Sequence, residues 1–361
     1  MNLILRKDGD RTGQAGFIAL ESLRQPWVER FLLYGGRTIP VVRARLSARD
    51  RRGAVKARWG IGRMRYAVMP GLYGVGLPGA DSPVFVSANY KMSFDALRLG
   101  LGGLAGAWIV VLDTKGINVW CAAGKGSFGT GELLSRITSL RLAEIVSHRV
   151  LVLPQLGASG VSAPEVARRS GFRVEWGPVR AEDIPDWLAA GRVKDDAMRL
   201  VTFNFRDRMA VAPVEMVHAW PLVPAALILG GLYGLPCGDG WAARAMQACM
   251  LIIGMIPVGT MVFPAILPFL PGRAFAPKGA LLGAVWAAAC AFLFRLPLLA
   301  GAGACLVAAA VVGFLAMNFT GASTFTCQPG ALMEVEKGFW PMASSLGLGL
   351  AAVVASRLLG L

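Results

Sequence analysis

Two stretches of the chain, Met216 to Gly238 and Ala245 to Gly272, contain no Asp, Glu, Lys or Arg. Each is longer than the roughly 20 residues a helix needs to cross a bilayer. Part of the chain is therefore expected to sit in lipid, as the 55% hydrophobic composition also suggests for 361 residues. The apolarity is uneven. Residues 1–213 carry 31 Lys and Arg against 18 Asp and Glu, whereas residues 214–361 carry 6 against 4. The front half thus holds +13 of the +15 formal net charge and the back half +2.

The two stretches predict membrane spans near 217–236 and 245–268, and hydropathy predicts three more near 279–299, 300–317 and 339–357. Arg295 falls near the end of the third, where it can snorkel to the interface. The polar run NFTGASTFTCQPG after the fourth reads as a loop. Arg206 and Arg208 precede the first span, and Arg273 and Lys278 fall in the second connection, so the positive-inside rule places the front half in the cytoplasm. The N-terminus MNLILRKDGDR has charges where a secretory signal needs an apolar core. A multi-pass protein of the cell inner membrane follows. The spans offer almost no ionisable residues to face one another, which favours an anchor and docking platform over a transport pathway. His218, at the mouth of the first span, reads as an interfacial residue.

Between Arg37 and Arg65 ten basic residues face one acid, Asp50. The stretch has no interleaved aromatics and no helix-turn-helix or zinc-ligand spacing, so nucleic acid is not the expected partner. An anionic lipid surface, which attracts each nearby Lys or Arg by about 1 kcal/mol, explains it better, and a solvated face with no partner does equally well. The six cysteines, Cys121, Cys237, Cys249, Cys290, Cys305 and Cys327, include no CxxC. No disulfide pairing is expected in a reducing compartment, and the chain cannot build its own iron-sulfur cluster.

From Pro83 to Asn204 short apolar runs alternate with amphipathic stretches. PVFVSAN, AWIVVLD, RVLVLP, FRVEWG and MRLVTFNF read as strands, and SFDALRLGL, VSAPEVARRS and AEDIPDWLAA as helices. An α/β domain over 83–213 with a mostly parallel sheet is expected, preceded by a basic extension (1–82) packed on it and followed by an all-α transmembrane domain (214–361). Ligands of such sheets bind at the carboxyl ends of the strands, and three irregular segments leave from there: 87–93, 113–129 and 154–162.

The middle segment holds NVWCAAGKG, residues 118–126, with the only cysteine of the first 236 residues among small residues that let backbone approach a large ligand. A lone cysteine is ordinarily a small buried hydrophobe. Gly124, Gly126 and Gly129 spell GxGxxG with Glu144 twenty residues beyond, but eleven residues separate them from the strand, too many for a dinucleotide fingerprint. Lys125 is not followed by Ser or Thr, so GKG is not a Walker loop.

PVFVSANYKMSFDALR, WIVVLDTKGINVWCAAGKGSFGT and VLPQLGASGVSAPEVARRSGFRVEWGPVRAEDI together resemble the corrinoid-binding domain of the acetyl-CoA pathway corrinoid iron-sulfur proteins, over about Pro83 to Ile184. The chain is most similar to the mercury-methylating corrinoid proteins, whose signature is an N(V/I)WCA(A/G)GK cap helix and which carry a membrane domain of about five spans. Unlike the acetyl-CoA pathway proteins it has no cysteine-rich cluster motif and no room for their barrel domain, and it adds the membrane half. NFTGAST also resembles the mercury-methylating branch.

The resemblance implies a Rossmann-like fold with a cap helix and a corrinoid (cobalamin or methylcobalamin) bound base-off and His-off. DxHxxG is absent, and His148 reads as a surface residue. Cys121 is implied as the lower axial cobalt ligand and catalytic residue. A soft thiolate suits such a metal, and the metal and Lys125, four residues along, would favour it. A donor opposite the methyl group favours its transfer as a carbanion equivalent or radical. Asn118 reads as the helix N-cap. Trp120 would pack the cap helix or touch cofactor, and Ala122, Ala123 and Gly124 would clear space for the ring, with Gly126 closing the segment. Ser87, Asn89 and Ser93 are placed near the corrinoid, with Gln155, Gly157 and Arg180 on the same sheet edge.

The implied activity is methyl transfer from cobalt to mercury(II), giving methylmercury. Implied partners are a ferredoxin-like protein with two 4Fe-4S clusters as electron donor, a methyltetrahydrofolate-linked methyl donor protein and membrane lipid. Two alternatives stand: a corrinoid methyl carrier of one-carbon metabolism, and a non-catalytic corrinoid-binding membrane protein.

Overall fold

The computed structural model describes residues 25–235, 240–319 and 328–360. These divide into two compact units, residues 25–57 with 61–201, and residues 58–60 with those from 202 onward.

The first unit is built on one seven-stranded mixed sheet: β1 (Val28–Tyr34), β2 (Arg37–Val42), β3 (Gly71–Gly76), β4 (Val84–Ala88), β5 (Gly106–Leu112), β6 (Val150–Leu153) and β7 (Arg173–Trp176), in the order β1-β2-β3-β5-β4-β6-β7. Four of the six pairings are parallel; β1–β2 and β3–β5 are antiparallel. The four strands expected between Pro83 and Gly177 are present. Residues 25–82, expected as an extension packed on the domain, contribute three strands to its sheet. Their hairpin turns at Gly35 and Gly36, both with positive φ, as a two-residue turn between right-twisted strands requires.

Helices α1 (Ala48–Arg58), α2 (Lys91–Gly100), α3 (Val119–Gly124), α4 (Thr130–Ser139), α5 (Ala163–Ser170) and α6 (Ile184–Ala189) complete the unit with a short turn, α7 (Asp196–Arg199). β5 is buried along almost its whole length, and its residues alternate between two cores. Trp108, Val110 and Leu112 pack with Leu133, Ile137 and Val166 of α4 and α5, while Ile109 and Val111 pack with Phe94 and Trp187 of α2 and α6. Helices thus cover both faces, which is why β5 reads as a continuous apolar run.

The expected strand MRLVTFNF does not form. Asp195 accepts a hydrogen bond from Met198 N–H at 2.7 Å and starts α7 instead, and Leu200 and Val201 are exposed. Asn204 and Asp207 then form a reciprocal capping box that opens the next helix. Local capping satisfies backbone groups that a strand there would have to pair with a neighbour.

The second unit is helical: α8 (Phe205–His218), α9 (Leu222–Gly234), α10 (Trp241–Pro257), a π-helical turn (Val258–Val262), α11 (Phe263–Ile266), α12 (Phe275–Leu293), α13 (Leu298–Asn318) and α14 (Gln328–Leu358). Among the described residues four helical stretches are long and apolar enough to cross a membrane, or five if the bent pair α8–α9 counts as one. That pair corrects the single first span expected over 217–236, since its halves meet at 53°. Pro221, which lacks an N–H and disfavours helix before it, sits at the junction. The third and fourth spans meet at residues 294–297, not 299–300, because Arg295 takes a positive φ and Pro297 caps α13. The polar loop after the fourth span falls mostly outside the described residues, as do Thr320–Thr324 of NFTGAST, Cys237 and Cys327.

Arg208, expected ahead of the first span, and Lys278, expected in the second connection, lie in α8 and α12 and are buried. Arg208 donates to the carbonyls of Pro264 (2.7 Å), Phe203 (2.8 Å) and Ala265 (3.4 Å), and Lys278 lies 3.5 Å from that of Leu267. α11 ends at Ile266, and the last carbonyls of a helix have no partner within it. Arg208 supplies donors for those of Pro264 and Ala265, whereas the Leu267 carbonyl near Lys278 lies just beyond the helix and also accepts from Leu270 N–H at 3.4 Å.

Candidate functional site

The loop that follows β5 is fastened before it reaches the cysteine. At the end of β4, the Asn89 side-chain oxygen accepts hydrogen bonds from the N–H groups of Thr114 (3.2 Å) and Gly116 (2.9 Å), and lies 2.8 Å from Thr114 Oγ1. Its amide nitrogen donates to Asp113 Oδ1 at 3.4 Å. Glu132 of α4 accepts from Asp113 N–H at 2.8 Å and is paired with Arg136. Burial alone would raise the Asp113 pKa, but hydrogen bonds from the Lys115 side chain and backbone more than offset that and lower it.

This loop delivers Asn118, whose Oδ1 accepts from Cys121 N–H at 2.9 Å. The N-cap sets the register of α3, so that Ala122 and Ala123 point into the core and Trp120 and Cys121 point out. Trp120 is 46% exposed, a large aromatic surface left open. Ala122 and Ala123 were expected to clear room for a ligand; they are buried among the apolar core residues instead, and the helix turns its other face outward. Lys125 donates its backbone N–H to the Cys121 carbonyl at 3.1 Å and leaves its side chain exposed. Gly124 and Gly126 are exposed with no atom near where a Cβ would stand.

Behind α3 runs the loop after β6. A Cβ on Gly160 would come within 2.2 Å of the Phe128 carbonyl oxygen and 2.9 Å of Ala123 Cα, and one on Gly157 within 2.5 Å of the Phe128 ring. Gly157 is therefore a packing residue that lets this loop press against the cysteine segment. Gln155 accepts from Lys194 Nζ at 2.5 Å, and Lys194 also reaches the Gly177 carbonyl at 3.4 Å. Burial, then Arg199, lowers the Lys194 pKa. Sequence reading gave no signal for Lys194, because it acts from a segment far along the chain.

A cleft of about 310 Å³ opens at the carboxyl ends of β4, β6 and β7. Of the expected site residues, Ser87, Ser93, Asn118 and Trp120 line it, together with Pro154, Leu156, Pro178 and Val179 from the loops after β6 and β7. Cys121 follows Trp120 on the same helix and is exposed, but it is not itself among the residues that line the cleft. Asn89 and Gly157 lie behind it with their structural tasks, and Arg180 stands beside Val179 with a side-chain nitrogen 3.6 Å from Glu182. The apolar lining was missed because Pro154, Leu156 and Pro178 look like ordinary loop residues in sequence.

His148 is at the other end of the sheet, preceding β6. Its Nδ1 accepts from Val150 N–H at 3.2 Å, so Nε2 carries the proton and donates to the Ser82 carbonyl at 2.9 Å. Expected as a surface residue, it is a part-buried structural one with both nitrogens occupied.

The model of the CO dehydrogenase/acetyl-CoA synthase delta subunit family matches residues 62–188. Among curated proteins, the acetyl-CoA decarbonylase/synthase complex subunit gamma of Archaeoglobus fulgidus is 34% identical over 123 residues, covering 34% of this chain and 26% of that one. The subunits gamma of Methanopyrus kandleri (32% over 126 residues; 34% and 26% covered) and Methanocaldococcus jannaschii (28% over 123; 34% and 25%) are also similar. The chain spans about a quarter of the length of the curated relatives it matches. The family match includes β3 to β7 and the cysteine segment, and relates the α/β unit to subunits of the CO dehydrogenase/acetyl-CoA synthase and acetyl-CoA decarbonylase/synthase complexes.

Proposed function

We propose that the α/β unit is a Rossmann-like corrinoid-binding domain and that the chain is a membrane-anchored, corrinoid-dependent methyltransferase that passes a methyl group to inorganic mercury(II), forming methylmercury. The observation that carries this reading is the placement of an exposed cysteine on a fixed helix beside the carboxyl-end cleft, where ligands of such sheets bind. A soft sulfur donor there fits a cobalt corrinoid. A bound corrinoid would supply a cobalt centre able to carry and transfer a methyl group, with Cys121 as the sulfur donor that would hold it.

The protein's own part is positional. Asn118 holds the cysteine segment in register, Trp120 offers a flat apolar wall, and Ser87 and Ser93 supply hydroxyls to the lining of the same cleft. Gly124, Lys125 and Gly126 edge the cysteine, and Gln155 and Arg180 stand on the flanking loops. His148 is committed to backbone at the far end of the sheet, and Cys121 is the residue that would hold the cobalt of a corrinoid bound without its own base or a histidine. With no CxxC in the chain, electrons are assigned to a ferredoxin-like partner with two 4Fe-4S clusters, and the methyl group to a methyltetrahydrofolate-linked donor protein. The apolar helices of the second unit fix the chain in the inner membrane with the α/β unit on the cytoplasmic side.

A second reading, a corrinoid methyl carrier in one-carbon metabolism, is favoured by the names of the relatives. Cys121→Ala in the full-length protein separates the two. Corrinoid binding should persist, the sulfur-to-cobalt absorption band should vanish, and methylmercury formation should fall by at least about a hundredfold, as removal of a group acting in the transition state does. Unaltered mercury methylation would defeat the first reading. Loss of methyl exchange with a folate-linked donor, and no mercury methylation by the native protein, would support the second.

A further inference from the structure

Helix α1 and the turn that follows it form a compact element with unusual surface chemistry. Arg49, Arg52 and Lys56 recur at helical spacing on one exposed face, with Arg51 and Val55 beside them. Like charges three and four residues apart on a helix repel each other, and among the described residues no acidic side chain forms an ion pair with any of these four cations. The one acid of the helix, Asp50, points the other way, into the fold, where it pairs with Lys91 at 2.9 Å and Arg98 at 3.1 Å.

Past the helix, Ile61 N–H donates to the Lys56 carbonyl at 2.9 Å, which brings the turn up against the last basic residue. The chain then runs through Arg63–Arg65 and returns to the helix flank, where Tyr66 donates to the Asp50 carbonyl at 3.1 Å. A Cβ on Gly53 would stand 2.8 Å from the Tyr66 ring, so the return is close. Ile61 and Met64 are left 63% and 75% exposed at the tip, and Val55 52% on the helix. Large apolar side chains projecting beside unpaired cations are what a peripheral element needs to enter the headgroup layer of an anionic bilayer.

We propose that the basic face of α1 and the turn at residues 61–65 form a lipid-docking surface: the basic face meets anionic headgroups and Ile61 and Met64 enter the interface. Charge complementarity selects this occupant, and among the described residues the same chain carries four apolar helices long enough to hold it at a bilayer. Tethering makes docking an intramolecular event, so modest attraction suffices. The inference rests on the membrane-anchored part of the function proposed above and not on the cofactor or acceptor. A buried network that clamps α1 while leaving its outer face charged and unpaired gives the tip a fixed orientation.

The test uses the full-length protein in nanodiscs of phosphatidylcholine alone and of phosphatidylcholine with phosphatidylglycerol, read by amide hydrogen exchange over residues 49–66. Exchange at 61–65 should slow in the anionic discs, the protection should fall about fivefold for each of Arg49, Arg52 and Lys56 replaced by Gln, and Ile61→Asp with Met64→Asp should abolish it. Unchanged exchange in α2 and β5 shows that the variants still fold. Equal exchange in both lipids overturns the proposal, as does protection produced by a short nucleic-acid duplex in zwitterionic discs. Failure of the chain to enter nanodiscs at all would instead refute the anchored reading on which it rests.

Discussion

The two units bury cations by different means. In the α/β unit Lys91 and Arg98 are almost wholly enclosed and are answered by carboxylates, Asp50 from α1 and Asp95 from α2 at 2.5 Å and 2.7 Å respectively, with Arg98 donating in addition to the Arg43 and Arg45 carbonyls. Lys91 also stands 4.3 Å over the Trp27 ring. In the helical unit Arg208 has no carboxylate among these partners; it meets main-chain carbonyls of an interrupted helix and of the segment before α8. The α/β unit uses opposite charges on distant segments to join α1 to α2. A fold with the composition of a membrane domain uses the dipoles its own broken helices leave over.

The contrast can be broken at Asp50 with the largest effect. Asp50→Ala leaves two enclosed cations short of a partner, and we expect a loss of about 3–5 kcal/mol in the α/β unit, as for other broken buried pairs. Denaturant unfolding monitored by hydrogen exchange should show α1 and α2 loosening while α12 and α13 hold. The same group gives the unit a pH signature. Burial alone would raise the Asp50 pKa, yet hydrogen bonds from Lys91 and Ser47 hold it well below the ordinary carboxylate range. Its stabilisation is therefore complete above the unfolded value of about 3.9 and is lost as pH falls toward the lower folded one. Acid titration of stability should show that loss in the native protein and not in Asp50→Asn.

Arg208→Met tests the other side. It removes donors from the Pro264 and Phe203 carbonyls, and we expect about 1.5–3 kcal/mol of destabilisation, read as faster exchange around α11 with the α/β unit unaffected. Equal loosening of both units would erase the distinction. The smallest effect belongs to the site itself: Asn118→Ala removes the cap of α3 at a cost of about 1 kcal/mol. It should leave overall stability nearly unchanged while accelerating exchange at Cys121.

Much of this was legible along the chain. The apolar, uncharged stretches predicted the second unit, and strands β4 to β7 followed from short apolar runs between turns. Asn118 announced its capping role because the cap acts over three residues. Features joined by distant segments were not legible. Asn89 read as a ligand contact, but its amide is engaged by a loop 24 to 27 residues away. Ala122 and Ala123 read as space for a ligand because small size says nothing about which way a helix face turns.

By itself the sequence determined where charge and apolarity lie, and so that an α/β unit precedes a helical one, with one cysteine segment at the end of a central strand. Tertiary structure decided the rest: that residues 25–82 complete the sheet, that the first span is bent, that Gly157 and Gly160 yield room to Phe128 and α3, and that Cys121 faces out beside the cleft. Periodicity and hydropathy act through neighbours along the chain, and one sequence carries them in full. Strand order, close approach and the pairing of enclosed charges depend on which distant segments meet, and that is fixed only when the core closes.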